Sequence, residues 1–441
     1  MATVNSCNWM SAIDNSTSLA QMSIPGTHES SALFGATSKC QNFGVLRQLV
    51  RGIRFLDTRC RYKDASDPLY IHHANVYQNA TFADVQNEVI EFLARNSNET
   101  VVMNIQQEYS SVDSATFRGK LSAEMNSNYW TFPTSVPTLG SVRNKIVLIR
   151  TCRRNLTDPN RPMIAGWDWP GNGLEWNGFA VSGLSWNYFF VTQNFWHGEG
   201  GEADGPGGMG DGPGGVGGVT GTYKGDQVEF YIGEAAKGRN PIKIYLNFLS
   251  RADTNIGVAA ADINMRISGF IENNYSGTAR LGVLPIDFCG NTGSGPGCLE
   301  DKIIGRNTFT TGTSYTYPTP EQPPALFKIQ LSANGQPHGW MAEGSQGWAV
   351  TNNTDPIVFE RYTWNGADYF KVQNASRYLS VSDEGQVGLY GWNDARTFQK
   401  ESTWLFSDEN GQPLRVLSGG RAGELWCTYG GDLLDVTYVP A

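Results

Sequence analysis

The sequence lacks three features that would each assign a protein to a broad class. Its apolar runs are far shorter than the roughly 18 residues of a membrane-spanning helix. It has no cluster of lysine and arginine, and its net charge is -9, so it lacks the basic surface that attracts nucleic acids and anionic membranes. Its start, MATVNSCNWM, lacks the basic and apolar regions of a signal peptide. These absences predict no nucleic-acid partner, and a cytoplasmic or non-classically secreted protein.

Cysteine is also scarce and scattered. The 7 cysteines form no CxxC pair and no Cys/His spacing typical of structural zinc, which argues against a zinc site. The odd count favours reduced thiols, although Cys289 and Cys298 are near enough in sequence to close a small disulfide loop. With 441 residues, 40% of them hydrophobic, the chain is long enough for a large core and predicts two domains.

Short apolar runs recur at fairly regular intervals over the first two thirds of the chain. Residues 81–96 carry apolar side chains at helical spacing, which predicts a helix between two of the runs. Near-continuous apolar runs with polar carboxyl ends are typical of parallel strands buried on both faces. The pattern predicts an α/β fold, a TIM-like (β/α)8 barrel over residues 1–314. The predicted barrel strands are AQMSIPG, GIRFLDTR, PLYIHHA, TVVMNIQQEY, KIVLIRT, YFFVTQN, IKIYLNF and LGVLPID.

A glycine-rich segment interrupts the predicted barrel. Residues 198–221 contain many glycines and almost no apolar side chains, so they predict a surface insertion without a packed element. No lysine, arginine or Gly-Lys-Ser/Thr pattern accompanies the glycines, which disfavours a phosphate-binding loop. The segment follows the sixth barrel run and would lie over the mouth of the barrel, where a role as a lid stays open.

The spacing of the apolar runs changes after a proline-rich stretch. Residues 315–323 predict an extended linker, and residues 324–441 contain twelve short strand-like runs in three groups of four. Phe359, Phe398 and Val436 recur at a period of nearly 40 residues. This pattern resembles an all-β β-trefoil of the ricin-B or fascin-like kind. The resemblance implies either a lectin-like module or a structural, protein-contact module.

Aromatic residues supply the main argument for a lectin-like module. Trefoils bind sugars in shallow pockets where an aromatic ring packs against a pyranose, and six tryptophans are available here, although most are expected in the core. They are Trp340, Trp348, Trp364, Trp392, Trp404 and Trp426.

Three predicted strands end in groups that suit one reaction. They are residues 27–29 (Thr-His-Glu), 57–59 (Asp-Thr-Arg) and 72–73 (His-His). Because barrel enzymes build their sites from the carboxyl ends of several strands, these groups should converge. Two imidazoles and a guanidinium suit phosphodiester cleavage, since one imidazole accepts a proton, the other donates one, and the guanidinium stabilises charge on phosphate. For a single histidine, a structural role in the core would be the simpler interpretation.

Several motifs together resemble one enzyme family. SIPGTHES, RGIRFLDTRCR, YIHHANVY, NETVVMNIQQEY and NKIVLIR are similar, in this order, to motifs of bacterial-type phosphatidylinositol-specific phospholipase C, the X-domain family. The resemblance covers most of residues 1–300. It implies a barrel that cleaves the glycerol–phosphate bond of an inositol lipid by internal attack of the 2-hydroxyl, which gives a cyclic phosphate and diacylglycerol.

The resemblance also implies a role for each matching residue. His28 is the general base and His73 the general acid, at the position before the family's usual glycine. Arg59 is the phosphate clamp. Asp287, in VLPIDFCG, is expected to orient His28, and Glu29 is expected to support His73. His72 is assigned a structural role.

The role of Asp57 and the prediction of metal-independent activity rest on the same family resemblance. Asp57 would steady Arg59 or, equally, form a structural ion pair at the end of its strand. Metal-dependent relatives place an asparagine after the first histidine or use a Glu-x-Asp pair, whereas this chain has Glu29 and one acid near Arg59. A fixed guanidinium replaces the cation, so we expect activity without metal and no cofactor.

The expected head-group pocket departs from the family. Bacterial enzymes hold inositol with a lysine, an arginine and an Asp-x-Tyr, and each such hydrogen bond contributes about 1–3 kcal/mol. This departure predicts weak turnover of plain phosphatidylinositol, with glycosylated inositol lipids or other vicinal-hydroxyl phosphodiesters as candidate substrates. The residues at the corresponding positions are Gln106 or Gln107, Thr151 preceded by Arg150, and Asn194 with Trp196, whose ring is suited to stack on a sugar.

Two functions remain as hypotheses. The first is a metal-independent, phospholipase C-like phosphodiesterase or phosphorus–oxygen lyase that makes peripheral membrane contact and carries a carbohydrate-binding appendage. The alternative is a non-catalytic lectin on a phospholipase C-like scaffold. The presence of His28, Arg59 and His73 favours the enzyme, because a protein that has lost its activity seldom keeps a complete set of acid–base residues.

Overall fold

The computed structural model describes most of the chain as two compact units. The first unit comprises Met1–Gln41 and Arg51–Tyr317, and the second comprises Asn42–Val50 and Pro318–Ala441. The described residues are 2–133, 135–151, 167–168, 190–193, 224–238, 241–251, 255–290, 298–316, 321–418 and 423–441. The glycine-rich segment 198–221 lies outside these ranges.

The first unit alternates strands and helices. Its strands are β1 (Ala2–Val4), β2 (Ser23–Thr27), β3 (Phe55–Arg61), β4 (Tyr70–His73), β5 (Val76–Thr81), β6 (Val101–Gln107), β7 (Trp130–Thr131), β8 (Ile146–Thr151), β9 (Trp167–Asp168), β10 (Phe190–Gln193), β11 (Ile244–Asn247), β12 (Gly282–Ile286) and β13 (Thr313–Tyr315). The α-helices within the described ranges are α1 (Val45–Val50), which belongs to the second unit, α2 (Phe82–Arg95), α3 (Ser114–Glu124), α4 (Leu139–Val142), α5 (Lys224–Ala236), α6 (Ile256–Asn274) and α7 (Leu299–Ile304).

A parallel sheet forms the centre of the first unit. Its strands pair in the order β9-β8-β6-β3-β2-β12-β11-β10, and every pair in this run is parallel. One side chain from most of these strands points into a shared apolar cluster, for example Ile24, Phe55, Val102 and Val147. The unit is therefore mixed α/β with a parallel sheet in chain order, in agreement with the predicted class.

The predicted third barrel strand is wrong in its direction. The run PLYIHHA forms β4, which pairs antiparallel with β3 and then with β5. His73 pairs with Val76 across a two-residue turn that starts at Ala74. Such a turn joins antiparallel strands only, because parallel strands need a long crossover. The parallel strand β9, which the sequence analysis did not predict, occurs among the described residues instead.

Helix α2 illustrates how the sequence fixes a local element. Thr81 caps its amino terminus, and the Thr81 side chain and Asp84 form a reciprocal capping box. The buried face of α2 includes Phe82, Val89 and Phe92 at helical spacing. The helix predicted over residues 81–96 is confirmed.

The second unit is built from antiparallel strands around a separate apolar core. The twelve predicted runs all contain a strand, and the last run is divided between two. Phe359, Phe398 and Val436, the residues of the predicted period, are all buried in this core. The strands are β14 (Leu326–Ala333), β15 (Gln336–Glu343), β16 (Ala349–Asn352), β17 (Phe359–Trp364), β18 (Ala367–Val372), β19 (Tyr378–Val381), β20 (Val387–Tyr390), β21 (Phe398–Glu401), β22 (Trp404–Ser407), β23 (Leu414–Val416), β24 (Leu425–Cys427), β25 (Asp432–Leu433) and β26 (Asp435–Pro440).

Helix α1 belongs to the second unit although its sequence lies among barrel motifs. The guanidinium of Arg47 is fully buried, and its Nε and Nη2 atoms donate to Glu401 Oε1 at 2.9 and 2.8 Å. Its Nη1 donates to Asp408 Oδ1 at 2.9 Å, and Nη2 also donates to Gln399. The ring of Phe43 lies 4.3 Å from the guanidinium carbon. These contacts join residues 42–50 to the all-β unit.

Three smaller expectations also have outcomes. Cys289 and Cys298 are both free thiols, so the disulfide considered for them is absent. Tyr315, which the sequence analysis places in the linker, is the last residue of β13 and pairs with Val4. Within the described ranges, no helix has both the length and the hydropathy that a membrane crossing requires.

Candidate active site

The carboxyl ends of three neighbouring parallel strands carry the predicted reacting groups. His28 follows β2, Asp57 and Arg59 lie in β3, and Asp287 follows β12. Strands β12, β2 and β3 are adjacent in the sheet, and β4 returns antiparallel along the end of β3, which brings His73 back toward the same place. The structure thus gathers these five residues at one end of the sheet.

His28 is held between an acid and a guanidinium. Its Nδ1 lies 2.8 Å from Asp287 Oδ1, and its Nε2 lies 3.2 Å from Arg59 Nη2. Because a carboxylate accepts and a guanidinium only donates, Nδ1 carries the proton and Nε2 is the free base. Phe248 meets the imidazole edge-on, and Asn264 donates to the backbone carbonyl of Asp287. This arrangement suits proton abstraction by Nε2.

Arg59 lies at the centre of the charged groups. Besides His28, its guanidinium contacts Glu29 Oε1 at 2.9 Å, Asp57 Oδ2 at 3.3 Å and Glu108 Oε2 at 3.7 Å. Burial alone would lower the pKa of Arg59, but the three carboxylates outweigh burial and raise it. The group therefore remains a cation that can stabilise negative charge on a bound phosphate.

Asp57 is positioned by a side chain that the sequence analysis missed. Asn104, on the adjacent strand β6, donates to Asp57 Oδ1 at 2.8 Å, and the backbone N–H of Glu29 donates to Oδ2. Burial would raise the pKa of Asp57, but Arg59, His28 and the hydrogen bond from Asn104 lower it overall. Asp57 therefore remains a carboxylate beside Arg59.

Glu29 lies between the guanidinium and the second imidazole. Its carboxylate is nearer to Arg59, at 2.9 Å, than to His73 Nε2, at 3.9 Å. Its backbone φ is 44°, a left-handed conformation that is uncommon for a residue with a Cβ. Burial raises the pKa of Glu29 to about 8 despite the nearby guanidinium. The sequence analysis assigned Glu29 to His73 alone, and the structure adds the closer contact to Arg59.

His73 directs one ring nitrogen toward these groups. Its Nδ1 donates to the backbone carbonyl of Ser38 at 2.8 Å, which leaves Nε2 facing Glu29. Burial lowers the pKa of His73, and the neighbouring Arg59 acts in the same direction. In this orientation a proton on Nε2 points into the site.

The segment 38–41 holds both histidines and has no recognisable motif. Ser38 accepts from His73, and Gln41 Nε2 donates to the carbonyls of His28 and Ile286, both at 2.8 Å. Glu108 was also missed by the sequence analysis. Its only sequence signal is an acidic residue directly after a buried strand.

The predicted head-group residues have mixed outcomes. Gln106 lies close to the site, because its amide donates to Glu108 Oε2 at 3.3 Å. The backbone of Arg150 pairs with Ile105 in β6, but its side chain lies outside the described part of the molecule. Asn194 and Trp196 also lie outside it.

Neighbouring residues differ in their relation to the site. His72 stacks on Tyr109 with ring centroids 6.1 Å apart. His28, Cys40 and Asp287 have ligand atoms within 4.8 Å of one another and form the one group among the described residues that could hold a metal ion.

The chain is similar to known bacterial enzymes of one kind. The family model of the phosphatidylinositol-specific phospholipase C X domain matches residues 18–151. A 1-phosphatidylinositol phosphodiesterase of Listeria monocytogenes is 33% identical over 160 residues, which are 33% of this chain and 49% of the relative. The chain thus spans about half the length of that relative. A 1-phosphatidylinositol phosphodiesterase of Staphylococcus aureus (strain Newman) is 27% identical over 325 residues, 68% of this chain and 94% of the relative.

The chain is therefore similar in sequence to bacterial phosphatidylinositol-specific phospholipase C, and residues 18–151 carry the X-domain match. The solved Staphylococcus aureus enzyme superposes with a TM-score of 0.56 at 23% identity, over 69% of this chain and 98% of its own. At that identity the superposition establishes the shared fold. The prediction of a phosphatidylinositol-specific phospholipase C-like enzyme is confirmed by the homologues.

Proposed function

We propose that the first unit, as a closed (β/α)8 barrel, is a metal-independent phosphodiesterase that cleaves inositol phospholipids, or their glycosylated forms, at a membrane surface. The observation that carries this proposal is the contact of Arg59 with His28 Nε2 at 3.2 Å and with Glu29 at 2.9 Å. A base, a cation and a second imidazole then surround one point where a phosphate fits. The names of the homologues support an inositol lipid as substrate.

The proposed reaction is an internal displacement at phosphorus. His28 Nε2 accepts the proton of the inositol 2-hydroxyl, and that oxygen forms a bond to phosphorus. Arg59 stabilises the charge on the phosphoryl oxygens. The bond from phosphorus to the glycerol oxygen breaks, and His73 Nε2 gives that oxygen a proton. The products are a cyclic inositol phosphate and diacylglycerol, and Asp287 orients the His28 ring so that Nε2 faces the substrate.

The test compares single variants on a phosphatidylinositol ester in the presence of a chelator. His28→Ala and His73→Ala should each lower kcat by at least about a hundredfold, since general acid–base groups contribute about 10²–10⁴. His72→Ala is the matched control, because it removes an adjacent imidazole that stacks on Tyr109. Equal activity in wild type and in the His28 and His73 variants would refute the assignment.

The head group accepted by the site forms part of the proposal. Gln106 stands near Glu108 where the resemblance would have a lysine. Its neutral amide supports a preference for a substrate other than plain phosphatidylinositol, in which Arg150, Asn194 and Trp196 are the further proposed contacts. A side-by-side turnover assay of phosphatidylinositol and of glycosylated inositol lipids tests this. Rates on plain phosphatidylinositol equal to those of the bacterial enzymes would overturn it.

For the second unit we propose a β-trefoil with a carbohydrate-binding role. The burial of Phe359, Phe398 and Val436 in one core supports the three-fold repeat. The exposure of Trp364 and Trp392 supports sugar binding by this unit, which the alternative, a lectin without catalysis, shares. Activity of the wild-type chain in the ester assay excludes that alternative, whereas sugar binding without turnover favours it.

A further inference from the structure

Five aromatic side chains of the second unit form a cluster outside its apolar core. The cluster consists of Tyr362, Trp364, Tyr369, Tyr378 and Trp392, and is called the aromatic platform below. The centroid of a Trp392 ring lies 5.0 to 6.0 Å from a ring of each of the other four. None of the five belongs to the core cluster around Phe327 and Phe359. The platform is thus a separate cluster, in which Tyr378 is buried.

A short hairpin fixes the rings in place. Tyr362 in β17 lies directly opposite Tyr369 in β18, and Trp364 follows Tyr362 by two residues, on the same face. The two strands are joined by Asn365 and Gly366, whose φ values of 48° and 79° fit a tight two-residue turn. Three of the five platform residues therefore lie on regular antiparallel backbone, which sets the spacing of their rings.

The two tryptophans of the platform are open to solvent. Trp364 is 51% exposed and Trp392 is 40% exposed, whereas Tyr378 beneath them is buried. The two indole rings lie 6.0 Å apart at an angle of 83°. An exposed pair of the largest apolar side chains, held rigidly at right angles, is typical of a binding surface.

A polar group flanks the rings and indicates the chemistry of the ligand. Asp394 follows Trp392 in the same short 3-10 helix and is exposed. Carboxylates accept hydrogen bonds from hydroxyl groups, and indole faces pack against the C–H face of a sugar ring. The two kinds of group together suit a pyranose.

Other ligand classes fit this surface less well. The lysine beside it, Lys371, is paired with Glu360 at 2.8 Å, so its charge is already compensated and the surface offers little attraction to a nucleic acid. A quaternary ammonium group needs an empty cage of rings, but here Trp392 occupies the centre of the cluster.

We infer that the aromatic platform is a carbohydrate-binding site for a neutral polysaccharide, with Trp364 and Trp392 as the surfaces that stack on the sugar. The inference rests on the carbohydrate-binding role proposed for the second unit and gives that role a location. Asp394 supplies a hydrogen-bond acceptor at its edge.

The experiment is affinity electrophoresis of the full chain in gels that contain soluble mannan, galactan, xylan or β-glucan. Trp364→Ala and Trp392→Ala should each weaken retardation by at least about tenfold in Kd, which corresponds to about 1.4 kcal/mol. Trp340→Ala is the matched control, since it removes a tryptophan of the same unit outside the platform and should leave retardation unchanged. Near-UV circular dichroism verifies that each variant is folded, and the phosphodiesterase rate of each should equal that of the wild type.

The outcomes separate the site from the proposed function. Retardation of the wild type that persists in a Trp364→Ala/Trp392→Ala double variant would overturn the platform and leave carbohydrate binding by another surface. Equal loss in Trp340→Ala would also overturn the location. If none of the four polysaccharides retards the wild type, the carbohydrate-binding role itself fails, and the platform fails with it. A change of oligomeric state in the tryptophan variants without any sugar binding would identify the platform as a contact between copies of the chain.

Discussion

At the scale of single residues, the proposed chemistry depends on Arg59, the three acidic side chains in contact with it, and two histidines, one of which contacts Asp287. His28, Arg59 and Asp287 could be predicted as site residues from the sequence, because each lies at the end of a strand within a recognisable motif. Asn104 and Glu108 could not be predicted as site residues, because an amide inside a strand and an acid after a strand are common in any α/β protein. Which acid pairs with which base depends on distances of a few tenths of an ångström, and such distances are fixed only by packing.

The pKa of Glu29 makes the stability of the first unit depend on pH. Burial raises this pKa from about 4.5 to about 8. A group with a raised pKa contributes stability that is complete below its unfolded pKa and is lost as pH rises through the folded pKa. Relative to Glu29→Gln, the wild type should therefore lose a few kcal/mol of unfolding free energy between about pH 4.5 and 8, at about 1.4 kcal/mol per pKa unit. Urea unfolding of both proteins across this range measures the difference.

A constant difference between the two proteins over that range would mean that Glu29 is ionised throughout in the fold. Asp84→Asn is a suitable control, because Asp84 takes part in the capping box of α2 and not in the contacts of Arg59.

The proposed proton donor should limit activity on the alkaline side. His73 must carry its proton to act, so the rate falls as pH rises through its pKa. Burial and Arg59 lower that pKa, so the alkaline limb of kcat/KM should lie below the usual histidine value of about 6.5. Glu108 acts in the opposite direction, and Glu108→Gln should move the limb to still lower pH. A limb above 6.5, or one that Glu108→Gln moves upward, would contradict the role of His73.

At the scale of secondary-structure elements, apolar runs predicted seven of the parallel strands correctly. The prediction of a parallel strand for the run that contains His73 was wrong, because apolar content does not indicate whether a strand is parallel or antiparallel to its neighbours. The distinguishing signal was the short connection from β4 to β5, which only an antiparallel pair can use. The missed strand β9 is two residues long and carries no pattern of its own.

The turn between β4 and β5 offers a test of stored backbone strain. Ala74 adopts a φ of 47° at this turn and is exposed. A left-handed conformation costs a residue with a Cβ about 1–2 kcal/mol, and the greater freedom of glycine in the unfolded chain offsets part of the gain. Ala74→Gly should therefore stabilise the protein by about 1 kcal/mol in chemical unfolding. Ala80→Gly, in the buried part of β5, should destabilise it, and a loss of stability in both variants would show that Ala74 is not strained.

At the scale of the whole molecule, the chain divides into units that are not continuous in sequence. A boundary at the proline-rich stretch follows from composition, and composition has no information about residues 42–50. From the sequence, those residues are expected to connect two parts of the barrel. The carboxylate partners of Arg47, however, lie more than 350 residues further along the sequence. A buried cation with distant partners cannot be recognised from a local pattern.

The composition of the second unit predicts how fragments behave. A fragment of residues 318–441 leaves Glu401 and Asp408 without Arg47, and breaking a buried ion pair costs about 3–5 kcal/mol. We expect that fragment to unfold at a markedly lower temperature than a fusion in which residues 42–50 are restored through a flexible linker. The fusion with Arg47→Met keeps the apolar length of the side chain but lacks its charge, and it should not recover the loss. Equal melting temperatures for the fragment and the wild-type fusion would show that residues 318–441 fold independently of α1, and that Arg47 does not stabilise the unit.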